Sequence, residues 1–445
     1  MKLSSVPLDP ADVASAAHVA TAGPDLAPAL VPPPDSVSTA AHPGDPAGFY
    51  RRLREGAPLW FDPVAGLWVA SRADVVREAL RHPALRVRPV DQPVPPAIAG
   101  RPAGEVYARM VRMTDGPGQR HVRQWLVGAL SAVPVAEVAR QTQDAARLLP
   151  SLPLDDWLSV LPLAALAGLI GFPAAQRLAV AREGRAFAAC ISPLATPSQL
   201  AAADLAAESL DRRLLALCRS GHAPAGSLAD ALGTIAGPDA GTVRANLIGL
   251  FAQACDGTAG LIGSSLLAWA SQARVAASRR SAADSFDALV ASTAMQAAPI
   301  QNTRRFVARP CTLGGLPLAP GDTVLLLLAS ANHEVAKRAA GDDGWADTDV
   351  GAGAGAGAVG APHPAVMEPG ATADAPTPLA ALPGFGHGAH ACPGRSWAHA
   401  MAVAALRVLT TGGWPPSRAA SAHRGFRASL NARIPSFDPT LEVTP

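Results

Sequence analysis

Apolar residues recur at three- and four-residue intervals from about Pro83 to about residue 300, which predicts a long run of helices. Before it, Pro58-Leu-Trp-Phe61 and Leu67-Trp-Val-Ala70 flank Asp62-Pro-Val-Ala-Gly66, a pattern that predicts a small hairpin. Ser71-x-x-Asp74 then reads as a capping box opening a helix with Val75, Val76, Ala79 and Leu80 on one side, and Pro83 ends it. Pro- and Gly-rich breaks at 89–102, 116–118, 193–197 and 221–226 divide the helical region. The uncharged stretch from Trp157 to Gln176 reaches membrane-spanning length. Pro162, Gly168, Gly171 and Pro173 within it make two buried helices the better reading. Arg244 to Ala270 is the longest helical pattern, interrupted in its centre only by Gln253, Asp256 and Thr258. From Pro310 the pattern changes. Cys311–Leu318 and Thr323–Leu328 read as short strands around the turn Pro320-Gly321-Asp322.

Two segments lack any such pattern. Residues 1–46 are rich in Ala, Pro, Ser and Asp and are expected to form a mobile tail, with order beginning near Phe49. Residues 341–382, including GAGAGAGA at Gly351–Ala358, have few side chains able to pack and read as a disordered insertion. The remainder, 47–445, is taken as a single domain.

Composition narrows the partners. Apolar residues make up 49% of the 445 positions, so a core can be buried and a wholly disordered chain is excluded. Thirty-seven basic residues nearly balance thirty-five acidic ones, and bulk charge points to neither nucleic acid nor an anionic membrane. Lys2 and Lys337 are the two lysines, so arginine carries almost all the positive charge. Five scattered cysteines without a C-x-x-C suit a reducing cytoplasm. Asp9 and Asp12 interrupt any signal-peptide core. A soluble, monomeric, cytoplasmic protein is the expectation.

The informative segment is Phe385-Gly-His-Gly-Ala-His-Ala-Cys-Pro-Gly394. Its glycines permit a tight reversal, and a helix follows with Trp397, Met401, Ala404, Ala405 and Val408 on its apolar side and Pro393 in its first turn. A cysteine at such a helix start is expected to have a lowered pKa. Three chemistries compete on residues alone. Zinc could use His387, His390, Cys392 and His399, although their spacing fits no common zinc pattern. A nucleophilic Cys392 lacks an identifiable distant partner. A thiolate on haem iron is the third.

All six defined positions of F-G-x-G-x-H-x-C-x-G are present, and in them the chain resembles the cytochrome P450 superfamily. The resemblance extends over about residues 47–440, through the hairpin and helix at 58–83, Leu161-Pro-Leu…Leu169-Ile-Gly-Phe-Pro173 and the segment from Arg304 through Ala331-Asn-His-Glu. It implies a mainly α fold with a small β region and a haem b cofactor. Cys392 would be the axial thiolate and the metal ligand. Phe385 would shield its sulfur, with Gly386 beside it in the cofactor-binding loop, and His390, Arg305 and Arg123 would hold the propionates. Gln119 stands one turn before Arg123, where the family often has histidine. His121 is two residues off.

Ala254-Cys-Asp-Gly-Thr258 resembles the family's oxygen-activating segment, with Thr258 helping proton delivery. The acid position holds Gly257, and Asp256, one residue early, is rotated to the side opposite Thr258. The family's Glu-x-x-Arg is replaced by Ser292 and Met295, and no Lys or Arg lies between Arg338 and Arg395 to complete that ion network. Replacing a whole buried charge network can be neutral, whereas losing one member is costly. The resemblance implies a monooxygenase inserting one oxygen atom of O2 into a lipophilic small molecule, with electrons from a ferredoxin and its reductase. The alternative, which the motif losses favour, is a haem-binding sensor or degenerate paralogue without turnover. Substrate specificity is expected in Val87–Thr114 and Phe187–Gly226.

Overall fold

A computed structural model describes residues 36–37, 40–219, 224, 226–230, 237–276, 286–339 and 378–444. The helices in chain order are α1 (Ala47–Glu55), α2 (Ala73–Arg81), α3 (Pro102–Arg109), α4 (Pro117–Ala132), α5 (Val135–Leu148), α6 (Leu154–Ile170), α7 (Ala174–Ala188), α8 (Pro197–Arg219), α9 (Ala240–Ala276), α10 (Phe286–Gln296), α11 (Leu328–Ala339), α12 (Arg395–Thr411) and α13 (Ser417–Ala422). Strands are β1 (Leu59–Asp62), β2 (Leu67–Ala70), β3 (Leu85–Arg86), β4 (Leu152–Pro153), β5 (Thr303–Val307), β6 (Cys311–Leu313), β7 (Leu316–Leu318), β8 (Thr323–Leu326), β9 (His423–Phe426), β10 (Pro435–Phe437) and β11 (Glu442–Val443). The architecture is mainly α with a small β region. Most of the 341–382 insertion lies outside the described residues.

α5, α6, α9 and α12 pack on one another and enclose the main core. α6 is buried almost all round, which is why its sequence is uncharged beyond its first turn. It stops at Gly171, whose φ of +116° is a left-handed cap open to glycine, and α7 begins three residues later. The stretch Trp157–Gln176 is therefore mainly one buried helix that runs through Pro162 and Gly168, with only the exposed first residues of α7 after it, rather than two buried helices. Among the described residues no helix is long and apolar enough to cross a membrane.

The expected hairpin β1–β2 forms, with Leu59 opposite Ala70. β2 joins β8 in parallel, and the five-stranded order is β1-β2-β8-β5-β3. Two sequence expectations change here. Cys311–Leu318 is itself a hairpin, β6–β7, turning at Gly314 and Gly315, both at positive φ, while β8 pairs with β5 instead. Ala331–Glu334 is helical, inside α11, not part of the β region.

The Ser71–Asp74 capping box does not form. α2 is capped from a distance: the Ala73 N–H donates to Glu334 Oε2 at 2.7 Å, and the Ser71 hydroxyl donates to Leu53 O. A carboxylate at a helix start is favourable, and α11 supplies one where the local sequence did not.

Order also begins before Phe49. Val37 and Ala40 are buried, and Arg433 donates to the carbonyls of Ala40, His42 and Gly44 while its guanidinium stacks 3.6 Å from the Phe426 ring centroid. A neighbour 390 residues away orders a segment that carries no periodicity of its own. Residues 1–35 lie outside the described residues.

Candidate active site

The loop before α12 is built from two short turns, Pro383–Phe385 and Gly388–His390, closed by a hydrogen bond from the Cys392 N–H to Phe385 O at 2.7 Å. Gly386 (φ +70°) and Gly388 (φ +65°) supply the left-handed positions between them. A Cβ at Gly386 would sit 2.9 Å from His390 O, so the loop needs glycine there for space as well as conformation. Phe385 and Gly386 thus frame Cys392. α12 begins at Arg395 with Gly394 at its cap, so Pro393 lies before the helix, not in its first turn.

Cys392 is half-buried. Burial raises its thiol pKa, and this outweighs the Gly394 N–H and the Arg395, Arg123 and Arg112 charges that lower it. The expected depression at a helix start is therefore reversed in the protein alone, because Cys392 stands two residues before the cap and off the helix end.

α4 holds the loop. Arg123 Nη2 donates to Ala391 O at 2.6 Å, and Gln119 Nε2, one turn earlier and buried, donates to Ala389 O at 2.9 Å. His390 Nε2 lies 3.0 Å from Asp115 Oδ1, and Asp115 Oδ2 accepts from the Val87 N–H. Burial lowers the pKa of His390. Burial would raise that of Asp115, but the hydrogen bonds from His390 and Val87 prevail and lower it.

β5 contributes the second side. Arg305 is 3% exposed, and burial with the nearby Arg112 pushes its pKa down to about 9. Arg305 Nη1 and Arg112 Nη2 each reach Thr303 Oγ1 at 3.4 Å, so two guanidinium groups meet at one hydroxyl. Neither forms an ion pair among the described residues. Arg112 and Asp115 carry no signal in the sequence motifs. Only the approach of the α3–α4 segment to β5 and to the loop reveals them.

In α9, Thr258 is buried. Asp256 is reached by solvent yet closely surrounded; burial raises its pKa against the lowering effect of Arg427 and Arg185. Arg427 and Arg185 themselves pair with Asp155 and Asp156. Ser292 and Met295 are on α10, and among the described residues no charge network replaces them: Asn332 Oδ1 accepts from the Gly384 N–H at 2.8 Å, with Nδ2 at 3.5 Å from the Ala294 and Met295 carbonyls. The zinc reading fails. Among the described residues no three His, Cys, Asp or Glu gather to hold a metal, and His399 is engaged with Asp287 O.

No family model matches the chain. "Protein AknT" of Streptomyces galilaeus is 27% identical over 376 residues, 75% of this chain and 80% of that one. Among solved structures, P450BioI in complex with a hexadec-9Z-enoic acid-ligated acyl carrier protein matches with a TM-score of 0.63 at 17% identity, over 88% of this chain and 97% of that one. P450 RauA, complexed with a biosynthetic intermediate of aurachin RE, matches at 0.64 and 18%, over 91% and 97%. The cytochrome P450 CYP109B1 from Bacillus subtilis matches at 0.64 and 19%, over 89% and 99%. The chain has the cytochrome P450 fold.

Proposed function

We propose that this protein is a haem-thiolate monooxygenase that inserts one oxygen atom of O2 into a largely apolar small molecule. The observation that carries the reading is the glycine-framed loop that presents Cys392 within the field of Arg112, which meets Arg305 at Thr303 with no ion pair to either among the described residues. The residues fit haem b: a single thiol for the iron, and guanidinium forks for the propionates. Bound haem would supply the activation of O2.

The chain's own residues divide the remaining work. Cys392 would be the iron ligand, kept in place by the Phe385 carbonyl on its own N–H and the Gly394 N–H on its sulfur. Arg305 and Arg112 would bind the propionates. Arg123 and Gln119 orient the loop through its carbonyls, and His390 is oriented by Asp115. Thr258, whose hydroxyl makes no hydrogen bond among the described residues, is free to hand on a proton. Arg81, Arg77 and Arg395 gather around His387 on the same loop and, after burial, lower its pKa. That basic face suits an acidic electron donor such as a ferredoxin, served by a ferredoxin reductase.

A second reading, a haem protein without turnover, is favoured by one observation: Asp256 is exposed to solvent while Thr258, two residues on, is buried. The absorption spectrum of dithionite-reduced protein with carbon monoxide, beside Cys392→Ser, tests both. A strongly red-shifted Soret band lost in the variant is expected, and protein that takes up no haem under ample supply overturns both. Product formation with a surrogate oxidant separates them.

A further inference from the structure

Two chain segments lie against one face of α9, and both are held from the N-terminal part of the protein. Gly257, Gly260 and Gly263 stand three residues apart on α9 and share that face, with Thr258 between the first two. The chain between α10 and β5 and the chain entering β10 rest on it. Ile300 packs 3.8 Å from a Cβ placed on Gly257, and the Pro435 ring lies 3.2 Å from one on Gly263. At Gly260 a Cβ would meet both segments at once, the Arg433 carbonyl and the Pro299 ring each at 3.0 Å. The segments are also tied to each other: the Arg433 N–H donates to Pro299 O and the Gln301 N–H to Asn431 O, both at 2.8 Å.

The first segment is strained and braced. Ala298 is 1% exposed and has a φ of +39°, the one non-glycine residue at positive φ among the described residues. Gln301 Nε2 donates to Ala297 O at 2.8 Å and to Ala298 O at 2.7 Å, and the Tyr50 hydroxyl, from α1, donates to Gln301 Oε1 at 2.8 Å. The second segment is anchored by the buried Arg433, whose guanidinium ends on the carbonyls of Ala40, His42 and Gly44. Residues 40–50 thus reach both segments, one through a phenol and the other through a guanidinium.

We infer that Tyr50 and Arg433 are positioning residues: they carry the support of residues 40–50 onto the α9 turn at Gly257–Gly260, and so set where Thr258 stands. The N-terminal chain is then a working part of the site. Assigning proton delivery to that turn rests on the monooxygenase reading; the coupling between residues 40–50 and α9 does not.

The test is amide hydrogen exchange followed by mass spectrometry on the purified full-length protein, for wild type, Tyr50→Phe, Arg433→Lys and Arg433→Met. Tyr50→Phe removes one hydroxyl and keeps the ring. Arg433→Lys keeps the charge but loses the fork that serves three carbonyls. Peptides covering residues 255–263 are expected to exchange about 10-fold faster in Arg433→Met, the size set by a lost buried hydrogen bond, and by a smaller factor in the other two. Peptides from α5 and α12 should keep wild-type rates. Unchanged exchange at 255–263 in Tyr50→Phe and Arg433→Lys overturns the inference. An increase shared equally by every helix overturns it too, because that marks a general loss of stability. In the same variants the affinity of the haem iron for imidazole, titrated by the Soret band, should change. Absence of a Soret band in wild type would remove the haem reading, and the exchange rates would still decide the coupling.

Discussion

Asn332 and Gly384 lie in direct contact: the Asn332 carboxamide oxygen accepts the Gly384 N–H at 2.8 Å, and a Cβ on Gly384 would come within 2.9 Å of Asn332 Nδ2. Asn332 is buried, and its amide stands between the end of α10 and the cysteine loop. A neutral hydrogen bond therefore joins the two elements that a charge network would otherwise join. Asn332→Leu leaves the Gly384 N–H unanswered and should lower unfolding stability by about 1–3 kcal/mol, measured by urea denaturation. Gly384→Ala should cost about 1–3 kcal/mol through overpacking at the same contact.

The glycines of the loop differ in what they are needed for. Gly386→Ala meets both a positive φ and the His390 carbonyl, so it should cost about 1–2 kcal/mol from conformation, with the steric term added. It should also reduce haem uptake, read from the Soret absorbance per protein. Gly394→Ala is the control: its φ is −96° and a Cβ there has open space, so stability and haem content should stay near wild type.

Acid should destabilise the fold through His333. Its Nε2 is 2.7 Å from Gln296 O, and burial lowers its pKa below the ordinary 6.5. The unfolded chain therefore takes up the proton first. This contribution is present above pH 6.5 and is lost as pH falls through the folded pKa, at up to about 1.4 kcal/mol per pH unit. Denaturation midpoints measured from pH 7.5 downward should fall below pH 6.5, and His333→Gln, which can still donate to Gln296 O, should flatten that slope.

Thr258 and Asp256 should separate in kinetics. On the monooxygenase reading, Thr258→Ala lowers product formed per electron consumed by about 100-fold or more. Turnover with a surrogate oxidant, which bypasses that proton delivery, should be little changed. Asp256→Asn should leave both activities near wild type, because Asp256 is exposed to solvent while Thr258 is buried. Equal losses in the two variants would place Asp256 in the proton path after all.

The helical run, the β1–β2 hairpin, the break at Gly171 and the tight reversal before Cys392 are legible in the residues alone. Each depends on contacts within a few residues: apolar spacing, a left-handed glycine, a short turn. Only the folded chain shows that Glu334 caps α2, that Arg433 orders the chain at Ala40–Gly44, that Asn332 joins the end of α10 to the cysteine loop, and that Arg112 and Arg305 meet at Thr303. These partners lie tens to hundreds of residues apart. Hydrogen bonds and charges act over a few ångströms in space whatever the distance along the chain, so only folding shows which groups they join.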